Sequence, residues 1–174
     1  RLNCILSLGK DTIGIGTNNG IILFFAKSKQ FRNVEMHFNV MRLFEDSHNE
    51  LWLFSKEQRG IVRYDPLTNE QQHYETPTQN MPKAELRSRD VIFEDSQGTL
   101  WVVPHLGCLS YYDREDKELK PYYTDYSKPE SKFTPVILNF YVDNQKNFWY
   151  ANNFWMDKIS FFPNASQLTT FDSG

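Results

Sequence analysis

The chain has 174 residues, 40% of them hydrophobic and 24% charged, with a formal net charge of −3. That is roughly one globular domain, too apolar for a disordered chain and too acidic to suggest a nucleic-acid or anionic-membrane partner. Aromatics stand out at 16% (14 Phe, 9 Tyr and 4 Trp), a density that favours a sheet-rich core, and no apolar run approaches the ~20 residues that span a bilayer. The chain opens Arg1-Leu2-Asn3 with no Met, basic n-region or apolar h-region. It reads as a fragment beginning inside a domain.

From the N-terminus, the first unit is Leu8-Gly9-Lys10-Asp11-Thr12-Ile13-Gly14-Ile15-Gly16-Thr17, continued by Asn19-Gly20-Ile21-Ile22-Leu23-Phe24-Phe25. The second is Val40-Met41-Arg42-Leu43-Phe44-Glu45-Asp46-Ser47-His48-Asn49-Glu50-Leu51-Trp52-Leu53, continued from Gly60 to Asp65. The third runs from Asp90 through Glu94-Asp95-Ser96-Gln97-Gly98-Thr99-Leu100-Trp101-Val102 and continues from Gly107 to Asp113. The fourth runs from Asn139 through Asp143 and Trp149 to Tyr150, with Asp157 in the glycine position of its continuation. In the last three units an Asp precedes a Trp by six positions: Asp46 and Trp52, Asp95 and Trp101, Asp143 and Trp149. The tryptophans are 49 and 48 positions apart, and the degenerate first unit has Gly14 in the tryptophan slot.

Four copies in this length come to roughly 43 residues each, the size of a four-stranded propeller blade. Each unit reads as short β-branched or aromatic runs separated by turns of Asp, Ser, Asn and Gly. Inner runs such as Leu51-Trp52-Leu53-Phe54 are apolar on both faces, as a strand packed between two neighbouring sheets requires. The fourth runs, such as Glu70-Gln71-Gln72-His73-Tyr74, are polar and suit an outer edge. The expectation is all-β: one β-propeller segment over 1–174, a partial propeller of about four four-stranded blades near 1–38, 39–80, 88–126 and 134–174. A helical turn is hinted at only by Met81–Arg87. Trp52, Trp101 and Trp149 are expected to wedge between blades, Asp46, Asp95 and Asp143 to make Asx turns, and Gly20, Gly60 and Gly107 to serve the same repeat.

The pattern Glu-Asp-x-x-Gly-x-Leu-Trp-Val followed by Gly-x-Leu-x-x-Tyr-Asp, at 94–102 and 107–113, resembles the two-component-regulator propeller repeat. The copy at 45–53 with 60–65 is nearly as good, and those at 11–25 and 142–162 are weaker. The Gly-Thr usual after the tryptophan survives only as Gly16-Thr17. The resemblance implies a periplasmic ligand-sensing segment of a hybrid two-component regulator of Bacteroides type, an inner-membrane protein. Its ligand would be an oligosaccharide, and its kinase, receiver, DNA-binding and membrane parts would lie outside this chain. An open set of blades would also self-associate through exposed faces or pack on further blades of the parent protein. A propeller scaffold for protein–protein contact, without small-ligand sensing, is the alternative.

Other motifs read as structure. Gly14 to Gly20 looks like a phosphate loop, but a strand run follows where a helix N-terminus is needed. His37, His48, His73 and His105 fall in different units without metal-ligand spacing, and no catalytic motif appears. No metal, cofactor or enzymatic activity is expected, and Cys4 and Cys108 read as small buried thiols. Ligand contacts are expected on the connections between second and third strands. These carry Lys56 and Arg59, then His105, then Asn153 and Trp155, a mixture of aromatic faces and donors that suits sugar rings.

Overall fold

The computed structural model describes residues 1–9, 11–55, 57, 60–75, 91–103, 110–121, 137–144, 148–152, 158–162 and 169–172. The strands found there form four antiparallel sheets, each a simple meander in chain order. The first contains β1 (Leu2–Leu8), β2 (Thr12–Thr17), β3 (Gly20–Phe25) and β4 (Gln30–Glu35). The second contains β5 (Arg42–Glu45), β6 (Leu51–Phe54), β7 (Ile61–Tyr64) and β8 (Gln71–Tyr74). The third contains β9 (Val91–Glu94), β10 (Leu100–Val103), β11 (Ser110–Asp113) and β12 (Glu118–Pro121). The fourth contains β13 (Ile137–Val142), β14 (Phe148–Asn152), β15 (Lys158–Phe162) and β16 (Thr169–Asp172). This is the architecture of a partial β-propeller. Met81–Arg87, Gly107 and Cys108 lie outside the described residues.

The chain divides into two compact units, Arg1–Glu75 and Thr76–Gly174. In the first, the core lies between two sheets. Ile21, Leu23 and Val34 from one sheet meet Leu43, Leu51, Leu53, Val62 and Tyr64 from the other, and Met36, Phe38 and Val40 of the connection complete the cluster. That connection also pairs with both sheets: Val40 N–H donates to the Thr17 carbonyl (2.9 Å) and Met41 N–H to that of Phe54 (2.7 Å). All four residues of β6 are buried, whereas Gln71, Gln72 and His73 of the outer strand β8 are exposed. Trp52 is fully buried on the face opposite Leu51 and Leu53.

The second unit contains the third and fourth sheets. In the third, β9 contributes the buried Val91, Ile92 and Phe93, and β10 is buried throughout. Trp101 lies against Phe93 and Tyr111 of its neighbouring strands, with ring centres 6.4 and 5.8 Å away. The fourth sheet repeats the meander, Trp149 of β14 pairing with Tyr141 of β13 and Phe161 of β15.

Two repeated devices shape the hairpins. Between first and second strands, Asn49 N–H closes onto the Asp46 carbonyl (3.0 Å) and Gly98 N–H onto that of Asp95 (3.2 Å). Both residues at this point have positive φ, 61° for Asn49 and 81° for Gly98, the left-handed conformation such loops demand. At the start of the third strand, Gly20 and Gly60 have φ of 109° and 100°. A Cβ there would lie 2.1 Å from the Val34 carbonyl oxygen and 1.9 Å from that of Tyr74. Only glycine admits so close a crossing.

Candidate functional site

In the second, third and fourth sheets the aspartate and tryptophan form one hydrogen-bonded structure. Asp46 Oδ1 accepts from the backbone N–H of His48 and of Glu50, both at 2.9 Å, while Oδ2 accepts from the Trp52 indole N–H at 2.9 Å. Asp95 does the same with Gln97, Thr99 and Trp101, each at 2.9 Å. In the fourth sheet the Trp149 indole donates to Asp143 Oδ2 at 3.1 Å. A buried indole N–H needs an acceptor and a buried carboxylate needs donors, so each group meets the other's requirement. The sequence reading gave the aspartate a turn and the tryptophan a packing role; the constant spacing of six was the unused sign that they touch.

The first sheet lacks this pair. Gly14 stands in the tryptophan position and Leu8, six residues earlier, in the aspartate position. Leu8 pairs with Thr12 across the hairpin, as Asp46 does with Glu50. The face carrying Gly14 looks onto the second sheet: its nearest neighbours are the Leu8 and Leu43 methyl groups, 2.9 and 3.2 Å from where a Cβ would stand. Carboxylate and indole are thus replaced together by a leucine and a glycine, and the Leu8 and Leu43 side chains close over the glycine.

Beside this place, at the end of the two sheets that carries the Asp turns, a cleft of about 600 Å³ opens between the first sheet and the second. Its floor is apolar, with Leu8, Leu23 and Phe25 on one wall and Leu51 and Tyr64 on the other. Pro66 and the 95% exposed Leu67 form a lip. Charged groups ring the mouth and most are held in place. Arg32 Nη2 donates to the Pro66 carbonyl (2.8 Å), bridging the sheets, and its guanidinium lies 5.9 Å from the Phe25 ring centre. Arg63 pairs with Glu50 at 2.5 Å. Glu45 accepts from Gly9 N–H at 3.0 Å, again across the sheets. Asp65 accepts from Leu67 N–H at 2.8 Å, and that bond holds its carboxyl below the usual range. The Tyr64 hydroxyl donates to Asn69 Oδ1 (2.9 Å), and burial pushes its pKa up. Such a mouth offers fixed acceptors and donors over an apolar floor, which is binding chemistry.

The residues expected from sequence to contact a ligand, Lys56, Arg59, His105, Asn153 and Trp155, lie outside the described residues. Close to the first of those connections, Glu57 takes the side-chain N–H of Asn39 (2.9 Å) and its backbone N–H (3.0 Å), and Asn3 donates to Asn39 Oδ1 at 3.2 Å. The cleft sits at the opposite end of the strands, which sequence reasoning did not single out. Cys4 is a half-buried free thiol raised in pKa by that burial. Among the described residues no group of three or more His, Cys, Asp and Glu is placed to hold a metal ion.

No protein-family model matches the chain, and no curated protein sequence matches it. Solved structures do. The extracellular domain of a hybrid two-component system from B. thetaiotaomicron superposes with a TM-score of 0.67 at 21% identity, over 97% of this chain and 24% of that one. Virginiamycin B lyase from Staphylococcus aureus gives 0.66 at 16% identity, over 98% and 55%. An auxiliary nutrient binding protein from Bacteroides thetaiotaomicron gives 0.58 at 15%, over 98% and 46%. The chain therefore spans from about a quarter to about half of the structures it resembles, and at these identities the likeness establishes the propeller fold.

Proposed function

We propose that this chain is part of the extracytoplasmic, ligand-sensing propeller of a hybrid two-component regulator and responds to an oligosaccharide. The observation that carries the reading is the repeat itself. The Asp–Trp pair and the glycine-started third strand are the residues by which the sequence resembles the two-component-regulator propeller repeat, and they are the residues on which the blades are built. The extracellular sensor domain and the nutrient-binding protein among the similar structures support it. The fold is shared with lyases as well, so it does not choose a function by itself.

In this reading the chain is non-catalytic and periplasmic, and the kinase belongs to another part of the protein. A glycan bound better by one arrangement of the ectodomain than by another would shift the equilibrium between them and so the kinase output. Two places are proposed to hold the ligand: the cleft of the first unit, and the strand-two to strand-three connections with Trp155, Asn153, His105, Arg59 and Lys56. The test is the parent reading frame together with calorimetric titration of its ectodomain against oligosaccharides. A membrane helix, kinase and receiver in the same frame, with saturable glycan binding weakened by Trp155→Ala or by changes in the cleft, is the expected result. A frame lacking those modules, or an ectodomain that turns over a substrate, overturns the reading.

A further inference from the structure

We propose that the cleft between the first and second sheets is a site for an uncharged, polyhydroxylated ligand such as a short neutral oligosaccharide. Leucine in place of the carboxylate of the other blades gives the cleft an apolar wall there. The inference rests on the sensor reading for its ligand family and on the cleft for its location and charge class.

Three observations converge. The first is the paired departure from the repeat. Leu8 and Gly14 stand where the second and third sheets bury Asp46 with Trp52 and Asp95 with Trp101. The cleft lies on that same face, with Leu8 in its wall and Leu23, the strand partner of Gly14, beside it. The second is size: about 600 Å³ falls within the roughly 300–1,000 Å³ of ordinary small-ligand sites.

The third is charge. Glu45, Glu50 and Asp65 face two guanidinium groups at the mouth. Arg63 is paired with Glu50, and Arg32 uses one N–H on the Pro66 carbonyl. Three carboxylates against two guanidinium groups leave the mouth net negative, and a sulfate or uronate would add to that excess. Hydroxyl groups, in contrast, can donate to the carboxylates and accept from the guanidinium edges without any net charge to offset. The C–H faces of sugar rings match Phe25 and the lip of Pro66 and Leu67.

The test is a glycan microarray carrying neutral, uronate-bearing and sulfated oligosaccharides, probed with the parent ectodomain and followed by titration of the best binder. Binding is expected on neutral glycans. Arg32→Ala and Leu67→Ser, both at exposed positions, should each weaken it roughly tenfold. Leu67→Asp, which puts a further carboxylate on the exposed lip, should weaken binding more than Leu67→Ser does while leaving the melting temperature unchanged. Full affinity in Arg32→Ala and Leu67→Ser overturns the cleft as the site and leaves the oligosaccharide reading standing. Preference for sulfated or uronate glycans overturns the charge class. An ectodomain that binds no glycan of any class removes the oligosaccharide reading and this inference with it.

Discussion

Asp46 holds two backbone amides of its turn and the indole of Trp52 with one buried carboxylate. Truncation strands those donors away from water, and charge-assisted bonds of this kind are among the stronger ones. Asp46→Ala should cost about 2–4 kcal/mol in urea unfolding. Asp46→Asn keeps one carbonyl oxygen for the turn but turns an N–H toward the indole N–H, so its loss should be smaller. A double-mutant cycle with Trp52→Phe should give a coupling of about 1–2 kcal/mol; additive effects would show that carboxylate and indole act separately. The partly exposed aspartates behave differently. The Leu67 amide holds the Asp65 carboxyl low, and the Lys120 ammonium, 2.6 Å away, does so for Asp113. A carboxyl lowered by folding is stabilising above its unfolded value, about 3.9, and that contribution is lost as the pH falls through the folded value. The urea midpoint should therefore drop below about pH 4, and Asp65→Asn, which keeps the turn acceptor, should flatten the drop. An acid limb of unchanged slope in Asp65→Asn would remove Asp65 from the account.

At the level of the hairpin, two glycines with positive φ should respond very differently to a side chain. At Gly60 a Cβ would press on the Tyr74 carbonyl at 1.9 Å, a backbone atom that cannot turn aside. At Gly98 only the Glu94 carboxylate comes near, at 3.9 Å. Gly60→Ala should thus cost more than about 3 kcal/mol, or prevent folding, through steric overlap, whereas Gly98→Ala should lose only the left-handed penalty of about 1–2 kcal/mol. Gly98→Asn should lose less still, because Asn49 occupies the equivalent place at φ 61°. Equal losses at the two glycines would contradict the crossing geometry. Strands and hairpins of this kind are legible in the sequence because each blade repeats its turn residues and its doubly apolar inner run. The cleft is not legible in the same way. Gly14 is visible as a gap in the tryptophan column, but the matching Leu8 emerges only from hairpin register, and Asp11 nearby invites the wrong alignment. Arg32, Glu45 and Asp65 come from three different strands or turns, and no linear spacing announces their convergence.

On the scale of the molecule, the two faces of the first sheet have unequal surroundings. One packs on the second sheet through Ile21, Leu23 and Val34. The other carries two apolar rows in register, Ile5 beside Ile15 beside Ile22, and Ile13 beside Phe24 beside Phe31. Ile5 is 70% exposed and Phe31 66%, and the Phe24 and Phe31 rings already pack on each other, tilted by 35° with centres 4.7 Å apart. A sheet face meant for water alternates with polar residues, and this one has the composition of the face that is covered. We propose that a further blade or a second copy of the chain covers it. The 20.6 kDa chain should then self-associate at micromolar concentration, as read by size exclusion with light scattering. Phe31→Glu, on the outer strand where no core contact is lost, should restore the monomer, because burying a carboxylate against isoleucine and phenylalanine costs more than the contact returns. Gly98→Asn, in the other unit and far from these rows in sequence, should leave the assembly unchanged. If the unsubstituted 174-residue chain elutes as a clean monomer, the exposed rows are tolerated in water, and the requirement for a covering partner falls with it.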